Sequence, residues 1–178
     1  MSLKSIIADI LRMGHITPEQ LRKAGAKVGS NVNIYTKKID MGHAFLLEIG
    51  NNVTISDARI LLHDGSTKLS TGYSRVGRVI IGDNVFIGAD AIILPNVEIG
   101  SNVVIGAGSI VARNIESNSI VVGSPAKKVS TYDNYVQMNQ ELIRTGERVY
   151  KTHYSKKTQE EINLMKKELM NGGIGYDI

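Results

Sequence analysis

The sequence predicts an all-β solenoid, a parallel β-helix, and three observations carry that expectation. Ile81, Ile87, Ile93, Ile99, Ile105 and Val111 recur at every sixth residue, a spacing that fits neither the 3.6-residue period of a helix nor the alternation within one strand. Val79, Val85, Ala91, Val97 and Val103 stand two residues earlier, on the same side of a short extended segment. Gly82, Gly88, Gly100 and Gly106 follow the main series, with Asp83-Asn84 and Ser101-Asn102 next, residue types that tolerate the backbone angles of a tight corner. Each unit is thus a short strand with its own corner. Three units make one turn of chain, and turns stack at the ~4.8 Å inter-strand spacing. A sandwich has no reason to hold this phase.

Taken from the N-terminus, Ile6, Ile7, Ile10 and Leu11 fall on one face of a short helix ending near Gly14. A second helix begins at Thr17, which can cap it, with Pro18 at the first helical position and Gln20 completing a capping box. Together they form a cap, residues 1–27, over one end of the solenoid, where an exposed rung invites pairing with other chains. The repeat starts weakly at Val28 to Ile34, is interrupted around Lys37 to Gly42, and resumes at Ile49, with Ile55 and Leu61 in phase. Phase is lost again in HDGSTKLSTGYSRVG, residues 63–77, expected to be a loop ejected from one corner. The repeat domain, residues 28–130, leaves phase after Val111 and exits through a segment in which Pro125 holds Ser124 extended. The C-terminal extension, residues 131–178, holds a helix from about Thr131 to Thr145 and a last one from about Ser155 to Met170, with Thr158 and Glu161 as capping pair. Ile162, Met165 and Leu169 form its apolar stripe, and the tail NGGIGYDI frays or packs on a neighbour. Outward Ile80, Phe86, Ile92, Val104 and Ile110 leave apolar surface that an oligomer would bury.

Size and composition bound the function. A chain of 178 residues and 19.4 kDa suits one solenoid with helical ends. Its net charge of +4 and 5% aromatic content lack the basic stripe and stacking platform of a nucleic-acid binder. Cysteine is absent, which excludes a disulfide framework and any Cys-containing metal site and fits a cytoplasmic location. The opening MSLKSIIADILRMG carries Lys4, Asp9 and Arg12 and reads as neither secretion signal nor transmembrane segment.

Of the histidines at 15, 43, 63 and 153, His63 ends a coil and opens the ejected loop. A rigid strand there fixes the backbone while the loop can admit a ligand, and an imidazole titrating near neutrality suits proton transfer. A corner histidine bonded to a neighbouring carbonyl would look the same in sequence. Asp57 and Glu48 are acids that could orient the ring, whereas Asp64 points to the opposite side of an extended segment. His43 lies twenty residues before His63, near one solenoid turn, but a third histidine in compatible spacing is lacking and no metal site is expected.

The run of [LIV]-G-x-x-x-x units, the histidine-bearing interruption and the terminal IGAGSIVARNIESNSIVVGSPAKKV resemble the hexapeptide-repeat acyltransferases, in particular the sugar O-acetyltransferases akin to galactoside, maltose and exopolysaccharide acetyltransferases. The resemblance spans residues 28–130 and implies a left-handed parallel β-helix, a homotrimer with active sites between subunits, and acetyl-CoA as acyl donor. It implies that His63 is the general base for direct transfer to a saccharide hydroxyl, although the stretch between Ile55 and His63 is shorter than in galactoside acetyltransferases. Pantetheine contacts are expected at Gly88-Ala89, Gly106-Ala107 and Ser124-Pro125-Ala126, positions whose small size corner packing demands equally. Lys127 and Lys128 would meet the coenzyme phosphates or form a solvated exit turn. Asp64, Ser66, Tyr73, Arg75 and Asn84 are the acceptor candidates. Transfer to the amine of an aminosugar is the neighbouring chemistry, and a non-catalytic trimeric scaffold or nucleotide-sugar binding module the reading from another class.

Overall fold

In the computed structural model, which describes residues 14–146 and 148–178, the repeat folds as short parallel strands that the chain visits in a fixed cycle of three faces. The first face holds Lys27–Val28, Leu47–Ile49, Val79–Ile81 and Val97–Ile99. The second runs through Asn33–Tyr35, Thr54–Ser56, Val85–Ile87, Val103–Ile105 and Ser119–Val122. The third holds Arg59–Ile60, Ile92–Ile93 and Ile110–Val111. The six-residue series is buried throughout, and so is the series two residues before it, so both registers fill one continuous interior. Burying each Ile or Val removes enough apolar surface to favour folding by about 1.5–3 kcal/mol.

The corner between the first and second faces explains the recurring Asn. Asn31, Asn52, Asn84 and Asn102 all have positive φ, and their side-chain amides bond in a ladder: Asn31 donates to Asn52 at 2.9 Å, Asn52 to Asn84 at 3.1 Å and Asn84 to Asn102 at 3.0 Å. Asn is suited twice over, since it tolerates the left-handed region and carries both a donor and an acceptor. Gly82 precedes the third rung of this ladder because a Cβ there would lie 2.8 Å from the backbone carbon of Gly100 in the next coil.

One phase assignment changes. Ile60, not Leu61, pairs with Ile93 and is fully buried, as is Leu62. The corner after Ile55 is one residue shorter than the corner after Ile87, with Asp57 turning at φ 43°. Of the outward apolar residues only Phe86, 44% exposed, stands well out of the surface; Ile80, Ile92, Val104 and Ile110 are half-buried.

The helix at Thr17 forms as Pro18–Lys23 with its capping box complete, and Leu21 is fully buried in the core. The helix expected at residues 6–11 lies outside the described residues. At the exit, Ser119–Val122 turns through a cis Ser124-Pro125 bond and pairs antiparallel with Lys127–Ser130.

The chain divides into two compact units, one ending at Tyr132 and the other Asp133–Ile178. The helix Tyr132–Thr145 leads into the second. The last helix is Gln159–Leu169, shorter than expected because Tyr154–Lys156 forms a separate 3-10 turn and Thr158 caps the helix with Glu161. Nor does the tail fray: Tyr176–Asp177 pairs in parallel with Val149–Tyr150. Among the described residues no helix is long and apolar enough to cross a membrane.

Candidate active site

Both interruptions of the repeat leave from the same corner, between the third and first faces. In the first coil Ile39 bridges to Ile60, and the Asp40 N–H donates to the Ile60 carbonyl at 3.1 Å. Buried Thr36 supports that approach by donating to the Ala58 carbonyl at 2.8 Å and accepting from the Lys38 N–H at 3.0 Å. The chain then makes the 3-10 segment Met41–Leu46, which carries His43, before re-entering the first face. One coil later the second interruption starts at His63–Asp64, which pairs antiparallel with Arg75–Val76. The loop between them contains the helical turns Gly65–Thr67 and Lys68–Thr71.

This stacking brings three side chains together. His63 Nδ1 bonds to Asp40 Oδ2, and His43 Nδ1 approaches the same oxygen at 3.1 Å. The two imidazole rings are 4.8 Å apart, tilted by 39°. Asp40 is largely buried, with 10% of its side chain exposed, while His63 keeps 43% exposed. Burial works to raise the Asp40 pKa, yet the hydrogen bonds from His63 and then His43 outweigh it and hold the carboxyl below its ordinary value. An ionised carboxylate can only accept, so in the neutral His63 ring the proton belongs on Nδ1 and the lone pair on Nε2. The orienting acid is therefore Asp40, neither Asp57 nor Glu48: Asp57 pairs with Lys38 at 3.0 Å, and Glu48 with Arg78 at 2.5 Å and Lys27 at 3.3 Å.

His63 lines a cavity of about 760 Å³ together with Asp64, Arg75, Leu94, Asn96 and Ala112. Asp64 and Arg75 form an ion pair across the mouth of the loop, and Asp64 also accepts from the Ser66 N–H at 2.9 Å. Arg75 first, then the Ser66 amide, hold the Asp64 carboxyl well below the usual carboxylate range. Asp64 and Arg75 thus face the cavity, and Ser66 supports Asp64. Tyr73 is exposed at the loop tip, where its carbonyl accepts from Thr67 Oγ1 at 2.7 Å. Asn84 stands apart, at a different corner, with both ends of its amide used by the ladder. Asn96, which the sequence reading passed over, lies in the cavity wall.

The small residues considered for a coenzyme arm gather at the corner between the second and third faces. Gly88 is buried, and a Cβ there would fall 2.6 Å from the Ala107 N, so coil stacking itself requires a glycine. Ala107 is exposed and Ala89 and Gly106 half-buried. Ser124 is exposed, and Ala126 is tied to the coil by its N–H to the Ile110 carbonyl at 2.8 Å. Lys127 and Lys128 follow, both exposed.

Residues 78–113 match the family described as Bacterial transferase hexapeptide (six repeats). Protein CapG of Staphylococcus aureus is 33% identical over 176 residues, covering 95% of this chain and 100% of its own length. Among solved structures, a maltose O-acetyltransferase from Clostridium difficile 630 is similar at 24% identity and TM-score 0.49, over 71% of this chain and 84% of that one. The Neisseria gonorrhoeae serine acetyltransferase (CysE) is similar at 34% identity and TM-score 0.47, over 61% of this chain and 40% of that one. With the repeat matched and a relative aligned along its whole length, the chain belongs to the hexapeptide-repeat acyltransferases.

Proposed function

We propose that the protein transfers an acetyl group from acetyl-CoA to a hydroxyl of a saccharide, with His63 as general base and Asp40 as its orienting partner. The observation that carries this reading is the Asp40–His63 pair at the wall of a cavity of about 760 Å³. Asp40 holds the Nδ1–H tautomer, so Nε2 accepts the hydroxyl proton as the new C–O bond forms, and the carboxylate balances the charge that gathers on the ring. The tetrahedral intermediate then collapses with cleavage of the thioester C–S bond, and His63 returns the proton to the departing coenzyme A thiolate, which leaves as the free thiol. The charged pair Asp64–Arg75 and Asn96 supply hydrogen-bonding groups for a polar acceptor.

The donor supplies an activated thioester carbonyl. The edge formed by Ala107, Gly108 and Ser124 to Lys128 suits it: Ala107 and Gly108 are exposed, a Cβ at Gly108 would meet nothing within 4 Å, and two lysines end the run. This edge lies at a different corner from His63 within one chain. A second copy would bring this edge of one chain to His63 of the next, and the assembly we infer is a left-handed β-helical homotrimer with sites between subunits, the repeat domain 28–130 forming each wall. The location we infer is cytoplasmic.

The test is acetyl-CoA-dependent thiol release against mono- and disaccharides and nucleotide sugars, beside His63→Ala. Acceptor-dependent release that disappears in the folded variant supports the reading, and an ester rather than an amide product assigns the hydroxyl. Full activity in His63→Ala overturns it.

A further inference from the structure

Three different chain segments are not needed to gather a metal-type donor set here, because two suffice. Asp40 and His43 come from the first interruption and His63 from the second, and one ligand atom from each lies within 4.8 Å of the other two. The sequence offers no third histidine in compatible spacing, and the third group is a carboxylate. Two imidazoles with one carboxylate, plus positions left to water, form a donor set used by divalent transition ions. The two rings present Nδ1 toward a single oxygen, so their lone-pair directions converge once the protons move away. His43 and His63 are 33% and 43% exposed, which leaves an approach for an ion and room for water in its shell. Around a tetrahedral ion such atoms stand about 3.3 Å apart, so the Asp40 carboxylate must swing back from the two rings as the ion enters between them, a movement of side chains alone.

We propose that Asp40, His43 and His63 bind one divalent transition-metal ion of the Zn²⁺ type per chain, and that the ion inhibits acyl transfer by taking the nitrogen on which the base depends. In the metal-free site each ring keeps its proton on Nδ1 and donates it to Asp40. Coordination uses the Nδ1 lone pair, so the proton moves to Nε2 of the same ring. No proton is released from a neutral imidazole; it changes nitrogen. Nε2 of His63 then carries a proton and cannot accept one from an acceptor. Hard ions such as Mg²⁺ prefer oxygen ligands and do not compete. Only the inhibitory consequence rests on the proposed function; binding does not.

Co²⁺ titration of the full chain, followed by its visible d–d absorption, reads binding without any acyl transfer. The expected result is saturation at one equivalent per chain, displacement by Zn²⁺ but not by Mg²⁺, and at least tenfold weaker binding in His43→Gln and Asp40→Ala. His15→Gln and His153→Gln should bind as the parent chain does. Thioester consumption, followed directly, should be inhibited by Zn²⁺ at least tenfold less sensitively in His43→Gln. Absence of saturable Co²⁺ binding, or parental affinity in folded His43→Gln and Asp40→Ala, overturns the site. Metal binding without inhibition in an active enzyme overturns the switch alone.

Discussion

Asp40 and His63 stand at the same corner of successive coils, so that a carboxylate and an imidazole separated by 23 residues share a hydrogen bond. The contact follows from coil stacking: Ile39 bridges Ile60, and each residue of the pair enters just after its rung. If Asp40 fixes the His63 tautomer, Asp40→Asn, whose amide can donate to Nδ1, should lower kcat by about 10²-fold or more with KM for the acceptor little changed. Imidazole ¹⁵N spectra check the cause. The parent protein should show a protonated Nδ1 on His63, and the variant a shift of protonation toward Nε2. An unchanged tautomer with lowered kcat would remove Asp40 from this role.

The asparagine ladder makes a separate, structural prediction. Asn84 has φ 55° and bonds to both Asn52 and Asn102. Asn84→Ala loses both amide bonds and places a less tolerant residue in the left-handed region, for a destabilisation of about 2–4 kcal/mol. Asn84→Gly keeps the backbone freedom and should cost less. Urea unfolding of both variants checks the order, and equal effects would mean that backbone conformation contributes little.

Much of this architecture was legible in the sequence, because a period of six is imposed by local geometry. Ile81 to Val111 report their burial directly, and Thr17 and Thr158 announce their helices through short-range capping. The site was half legible. His63 stands where the period breaks, but Asp40 lies inside the other interruption, and only the pairing of Ile39 with Ile60 reveals that both breaks share a corner. The signal existed as two interruptions one coil apart, although the shortened turn at Asp57 shifts the count by one and hides it. Asn84 misled for the opposite reason: a polar residue near a loop in sequence can belong to another corner in space.

The C-terminal unit should be sensitive to acid. Asp177 is held below its ordinary value chiefly by Lys157, 2.5 Å away, and Glu161 by the Thr152 hydroxyl and the Thr158 amide. A carboxyl with a depressed folded-state pKa binds protons more readily when unfolded, so its stabilising contribution is present above about pH 4 and is lost as pH falls through the folded value. Asp177→Asn should therefore weaken the unit at neutral pH and flatten its pH dependence below about pH 4. Hydrogen exchange of Val149–Tyr150 and Tyr176–Asp177, the paired segments, measured from neutral to acid pH, reads this locally. Parallel pH dependence in parent and variant would contradict it.

The donor edge can be separated from corner packing through Gly88 and Ala107, which face each other across successive coils. Gly88→Ala places its Cβ 2.6 Å from the Ala107 backbone, so it should destabilise the fold and lower activity in proportion to lost protein. Ala107 is exposed, and Ala107→Trp adds bulk outward without entering that contact. Its thermal midpoint should stay within a few degrees of the parent, since exposed substitutions are usually within about ±0.5 kcal/mol. If the coenzyme arm runs along this edge, its KM for acetyl-CoA should rise tenfold or more while the acceptor KM changes little. The same steady-state comparison carries the opposite outcome: an unchanged donor KM in folded Ala107→Trp would move the donor to another face of the coil.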